Sequence, residues 1–111
     1  RSHLCFCLRV SPLFAMPAVV KILLVNPNST VAMTEGMRAE LDPICPPGVV
    51  LSYYTAPNHA PDAINTFVKG VTSAAACCDD LLATGALDAH DGFLVCCCAY
   101  FSTGLWVILR G

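Results

Sequence analysis

Two groups of residues in this chain have types and spacings suited to chemistry. The first is the run Asn26-Pro27-Asn28-Ser29-Thr30, which follows directly on the apolar stretch Val20-Lys21-Ile22-Leu23-Leu24-Val25. A buried strand that ends in a polar turn, with a helical pattern starting straight after, is where an open α/β sheet places its ligands. The turn offers two carboxamides and two hydroxyls and no glycine fingerprint, so it suits a small polar or anionic molecule rather than a dinucleotide. The second group is the eight cysteines, which fall as Cys5 and Cys7, Cys45, Cys77-Cys78 and Cys96-Cys97-Cys98. Adjacent cysteines on a helix or strand point in different directions and do not readily share one bridge or one metal. No C-x-x-C occurs, and His3, His59 and His90 stand away from every cysteine cluster. Neither a zinc site nor a disulfide framework is expected, and the thiols read as reduced, in a cytosolic setting.

The bulk composition limits what can position these groups. Hydrophobic residues make up 56% of the 111 residues and charged residues 13%, about half the usual share, so the chain has material for a modest core and disorder is not expected. The net charge of −2 comes from scattered residues with no basic cluster, which excludes a nucleic-acid surface. At the N-terminus a short apolar run, Leu4 to Leu8, is broken by Arg9 and Ser11-Pro12 and is too short for a signal peptide. Residues 1–15 read as an extension upstream of a natural start at Met16.

From Met16 onward the pattern is β-α-β-α-β. Val19 to Val25 is apolar on both faces apart from Lys21, as in a central parallel strand covered on both sides. Asn28 or Ser29 caps the following helix. Met33, Met37 and Leu41 mark its core side, Glu35, Arg38 and Glu40 face water, and Gly36 weakens it. Val49 to Thr55 is the second strand of this pattern. Asp62 is the expected cap of the second helix, whose apolar face reads Ile64, Phe67, Val68, Val71, Ala75, Cys78, Leu81 and Leu82. Cys77 and the Asp79-Asp80 pair fall toward its other, solvated side, and Gly85 ends it. Phe93 to Cys98 is a third buried strand. If the second and third strands flank the first, the helices cover opposite faces and the switch point falls between the strands ending at Asn26 and Cys97. An amide-rich turn and a thiol then meet in one crevice.

These residues resemble the Asp/Glu/hydantoin racemase superfamily, especially its fungal hydantoin-racemase-like members. The resemblance rests on Lys21-Ile22-Leu23-Leu24-Val25-Asn26-Pro27-Asn28-Ser29-Thr30, Met33-Thr34, Tyr54-Thr55-Ala56-Pro57, Ile64-Asn65 and Asp91-Gly92-Phe93-Leu94-Val95-Cys96-Cys97. It implies a flavodoxin- or Rossmann-like α/β half-unit with a parallel sheet, one lobe of a two-lobed, pseudo-symmetric enzyme. It further implies racemisation of an amino acid or cyclic ureide (hydantoin, aspartate or glutamate type) by two cysteines, one acting as base and one as acid, with no cofactor. By position, Cys97 matches the first catalytic cysteine, and Asn26, Asn28, Ser29 and Thr30 form the substrate-holding turn, assisted by the N–H groups after Asn28. Cys96 would point to the opposite side of the sheet in a core role.

The resemblance stops after Cys98, and Ala99 to Gly111 is a divergent apolar tail without a further cysteine. The expected domain plan is therefore an extension at 1–15, the first lobe at 16–98 and the tail at 99–111. This plan describes a truncated and inactive first half with an open edge at the third strand; any homo-oligomer belongs to the full-length parent. Two other classes stay open. One is a non-catalytic flavodoxin-like ligand module with a structural cysteine. The other is a protein anchored through Gly92 to Leu109, 18 positions free of charge, although Ser102, Thr103 and Gly104 weaken a membrane span and the β-branched start favours a strand.

Overall fold

The computed structural model describes residues 4–8 and 19–97. In chain order the elements are β1 (Leu4–Leu8), β2 (Val20–Asn26), α1 (Val31–Leu41), a short 3₁₀ turn (Asp42–Ile44), β3 (Val49–Thr55), α2 (Phe67–Thr84) and β4 (Gly92–Cys96). The sheet order is β1-β4-β2-β3. Strand β2 pairs in parallel with β3, from Val20↔Val49 to Asn26↔Thr55, and with β4, from Ile22↔Gly92 to Val25↔Val95. The expected flanking of β2 and the α/β half-unit are both present. The expected open edge on β4 is not, because β1 pairs with it antiparallel, Leu4↔Cys96 to Leu8↔Gly92. The remaining residues of the 1–15 extension, and the tail at 99–111, lie outside the described residues.

The pleat of β2 sends Leu23 and Val25 to one face, where they join Phe93 and Val95 from β4 and Ala74, Cys77, Cys78 and Leu81 from α2. Asn26 points the other way and is bonded to Thr34 of α1. The two helices therefore cover opposite faces, as the alternation of a strand requires.

Helix α2 departs from its expected orientation. Its buried residues are Gly70, Ser73, Ala74, Ala76, Cys77, Cys78 and Leu81, so Cys78 and Leu81 of the expected face are in the core, joined by the small residues and by a fully buried Cys77. Val68 is 71% exposed, Val71 53% and Leu82 59%. The physical reason is shape. The sheet carries the bulk (Leu23, Val25, Phe93), and a helix approaches closely only on small side chains. The helix also starts later than expected. It is capped by Thr66, whose hydroxyl accepts from the Lys69 N–H at 3.2 Å, and not by Asp62. Pro61 and Asp62 are held against the Asn-Pro-Asn turn through Ser29 N–H to Pro61 C=O (3.0 Å) and Thr30 Oγ1 to Asp62 C=O (2.7 Å). Gly85 closes the helix with φ +72°, the left-handed conformation the sequence anticipated.

On α1 only Thr34 is buried, and Met33 is 54% exposed instead of belonging to a core. Arg38 does not simply face water: its guanidinium lies 4.3 Å over the Tyr53 ring and 3.3 Å from Glu35. Thr30 is the N-cap residue, without a side-chain cap bond of its own.

Candidate active site

The C-terminal ends of β2 and β4 open onto a cavity of about 260 Å³ lined by Asn26, Pro27, Asn28, Met33, Met37, Ala63, Ile64, Cys96 and Cys97. It lies at the carboxyl ends of the adjacent parallel strands β2 and β4, the crevice position where open α/β sheets bind ligands. Of the residues singled out from sequence, Asn26, Asn28 and Cys97 reach this wall, while Ser29 and Thr30 belong to the turn but lie outside the lining.

Asn26 is 2% exposed and its carboxamide is fully engaged. Nδ2 donates to Thr34 Oγ1 at 2.9 Å and to the Thr30 carbonyl at 3.1 Å, while Oδ1 accepts the Asn28 N–H at 3.2 Å. Thr34 and Thr55 share a further hydroxyl bond of 2.6 Å, tying α1, β2 and β3 together beneath the turn. The Thr30 N–H is taken by Asn28 Oδ1 at 3.0 Å, and the Ser29 N–H by Pro61. The N–H groups after Asn28 that the sequence assigned to a substrate therefore serve the turn itself at Ser29 and Thr30. Asn28 Nδ2 is different, because its partner is the Met33 thioether at 3.2 Å, a weak acceptor.

From the other face Cys77 donates its S–H toward the Pro27 carbonyl at 3.7 Å, and burial pushes its thiol up to about 12. Tyr54 donates to Asp80 Oδ2 at 2.7 Å, so Asp80 is not the solvated carboxylate that its sequence context suggests. Burial, followed by this bond, pushes the Tyr54 hydroxyl upward. These groups brace the turn from behind.

Cys96 lines the same cavity as Cys97. Both residues lie at the end of β4, where the cavity opens, and Cys97 is the one packed against the core beneath α2. Burial, then the neighbouring Cys97, pushes the Cys96 thiol up to about 11. Cys97 itself is half-buried against the core formed by Val95, Phe93 and α2. Sequence reasoning missed Thr34, Thr55, Met33, Met37 and Ile64 as site-forming residues. The available signal was Thr34, a polar residue between two methionines on a helix turn adjoining the asparagines.

Comparison with known proteins bears on what this wall belongs to. The family described as Asp/Glu/Hydantoin racemase matches residues 22–102. This chain belongs to that family. The racemase-family match runs from Ile22 within β2 through β4 and so includes every residue of the cavity wall. An uncharacterized protein of Schizosaccharomyces pombe is 49% identical over 57 residues, which is 51% of this chain and 24% of that relative. The matched segment thus spans about a quarter of the relative's length. No solved structure matches the chain.

Among the described residues, Cys45, Cys77, Cys78, Cys96 and Cys97 are free thiols, and no three His, Cys, Asp or Glu side chains converge as metal ligands. No helix among them is long and apolar enough to cross a membrane, and Gly92–Cys96, the start of the charge-free run, is a strand.

Proposed function

We propose that this chain supplies one wall of a cofactor-independent racemase or epimerase acting on an amino acid or cyclic ureide of the hydantoin, aspartate or glutamate type, in a cytosolic setting. The observation that supports this most is the meeting of Cys97 with the Asn26-Pro27-Asn28 turn in one cavity at the carboxyl ends of β2 and β4. In this reading the Cys97 thiolate takes the proton from the carbon next to a carbonyl and becomes a thiol. The electron pair left behind moves onto the carbonyl oxygen as an enolate. A second thiol on the opposite face of the substrate returns a proton, and the roles exchange with the substrate's hand. Asn28 Nδ2 is the donor best suited to the carboxylate or ring carbonyl, since it gives up only a thioether contact to reach it. Asn26 acts one step back by holding Asn28 in place, and Ser29 and Thr30 complete the turn.

The opposing thiol belongs to a second lobe, so the 111-residue chain alone is expected to be inactive. Incubation with aspartate, glutamate and a 5-substituted hydantoin, followed by polarimetry, tests this; racemisation by the lone chain would overturn it. Iodoacetamide labelling at neutral pH tests the wall itself. Selective alkylation of Cys97, slowed by hydantoin in the wild type but not in Asn28→Ala, is expected. Labelling that ignores Cys97 would instead favour a non-catalytic ligand module. That second reading draws on one observation: apart from Asn28, the turn's polar groups on this wall are already bonded within the protein.

A further inference from the structure

The carboxamide of Asn28 is held so that its nitrogen is poorly served. Asn28 is 7% exposed, and its Oδ1 accepts the Thr30 N–H at 3.0 Å, which fixes which end of the amide is the oxygen. The other end, Nδ2, meets the Met33 sulfur at 3.2 Å. Met33 is anchored at that point by its own backbone, whose N–H donates to the Thr30 carbonyl at 3.1 Å in the first turn of α1. A thioether is a weak acceptor, so a nearly buried amide donor rests on a partner that satisfies it poorly. The same methionine is 54% exposed and borders the cavity, whereas Met37, one turn further along α1, is half-buried. Among the described residues, the methionine more open to a small oxidant is the one whose sulfur touches the turn.

We propose that Met33 is a site of reversible oxidation and that its sulfoxide holds the Asn28 amide. A hydroperoxide delivers one oxygen to the sulfur: the S–O bond forms, the O–O bond breaks, and water or an alcohol leaves. The sulfur loses two electrons and the peroxide gains them. The sulfoxide oxygen is a polar acceptor where the thioether was a weak one. Because the sulfur already touches Nδ2, rotation about the terminal side-chain bonds brings that oxygen to the amide. Reduction by a dithiol, through a sulfoxide reductase, turns two thiols into a disulfide, releases the oxygen as water and frees the amide again. The effect on stability is opposite to that of ordinary methionine oxidation, in which a polar sulfoxide disrupts a core. Here the oxygen is added to an exposed side chain and satisfies a donor, so the fold is not weakened. The modification stands apart from racemisation; its effect on a ligand rests on the reading of Asn28 as the substrate's donor.

The test treats the reduced 111-residue chain with tert-butyl hydroperoxide and then with dithiothreitol, which reverses thiol oxidation to disulfides and leaves sulfoxides in place. Peptide mass mapping should show Met33 oxidised at least about fivefold faster than Met37. The side-chain amide protons of Asn28 should move downfield in nitrogen-15 correlation spectra, the urea midpoint should not fall, and a sulfoxide reductase should restore the starting spectrum. Met33→Leu should abolish the response of the amide to peroxide. Met33→Gln, whose carbonyl imitates the sulfoxide oxygen, should shift the same signals without peroxide. Faster oxidation of Met37, or Asn28 signals that stay in place once Met33 is fully oxidised, would overturn the proposal. So would a fall in the urea midpoint on oxidation that Met33→Leu prevents. A separate arm addresses the ligand: oxidation of Met33 should reduce the protection of Cys97 by hydantoin against iodoacetamide by about three- to tenfold, the effect of one hydrogen bond. Undiminished protection in a chain whose Asn28 signals have moved would overturn Asn28 as the substrate's donor and leave the oxidation site standing.

Discussion

At the scale of single residues, Asn26 shows how a side chain that resembles a ligand contact becomes a structural one. Its amide makes three hydrogen bonds in a nearly solvent-free position, reaching Thr34, Thr30 and Asn28. Truncation leaves buried partners unsatisfied, so Asn26→Ala should lower stability by about 1–3 kcal/mol, read from urea denaturation. A change well under that range would mean that water replaces the amide freely and that the turn is not organised from Asn26. Asn28 has the opposite character. It shares the turn and its burial, yet one of its donors rests on a sulfur, which leaves it the most readily released polar group on the wall.

At the scale of elements, α2 provides the sharpest contrast between pattern and packing. Of its large apolar residues Leu81 is buried while Val68, Val71 and Leu82 are exposed, and the two groups make different mutational predictions. Val71→Glu lies on the exposed stripe and should change stability by no more than about 0.5 kcal/mol. Leu81→Ala, on the buried stripe beside Cys77 and Phe93, should cost about 2–5 kcal/mol. If thermal melts ranked these two the other way, the helix would have to be rotated. On α1, a methyl group added at Gly36 would meet nothing within 4 Å, and its backbone is not in the left-handed region. Gly36→Ala should therefore stabilise the protein by about 0.5–1 kcal/mol, a gain visible as a higher urea midpoint.

At the scale of the whole molecule, the sheet is three parallel strands with an antiparallel edge, and its behaviour follows from how the edges and buried thiols are handled. Removing residues 1–15 takes β1 away from β4 and exposes an unpaired strand edge. Hydrogen exchange at Phe93–Val95 should quicken and light scattering should rise; unchanged exchange would show that β1 does not guard this edge. A separate expectation concerns alkaline pH. Cys96 and Cys77 are pushed from an ordinary value of 9.0 up to about 11 and about 12, chiefly by burial. A group whose folded pKa is raised contributes stability that is fully present below its unfolded value and is lost as pH rises through the folded one. Stability should therefore fall progressively from about pH 9 to pH 12. Cys77→Ala should flatten that fall in alkaline urea titrations, and an identical slope would place the loss elsewhere.

The sequence by itself determined the order of the strands and helices from β2 to β4, the parallel β2–β4 core, the glycine cap at Gly85 and the meeting of the Asn26-Pro27-Asn28 turn with Cys97, but not β1. These follow from local signals, namely continuous apolar runs, turn residues and crossover length, each of which acts within a few residues or through a nearly invariant handedness. Three features were decided only by tertiary structure. The helix α2 turned its small residues inward, because the sheet had already supplied the bulk. Cys96 joined Cys97 on the cavity wall, because the cavity opens at the end of β4 where both residues lie. The turn's N–H groups at Ser29 and Thr30 found partners in Pro61 and Asn28, because folding brought the segment before α2 across the top of β2. Periodicity along a chain records which residues can be buried, but which of them are buried depends on the surface that meets them.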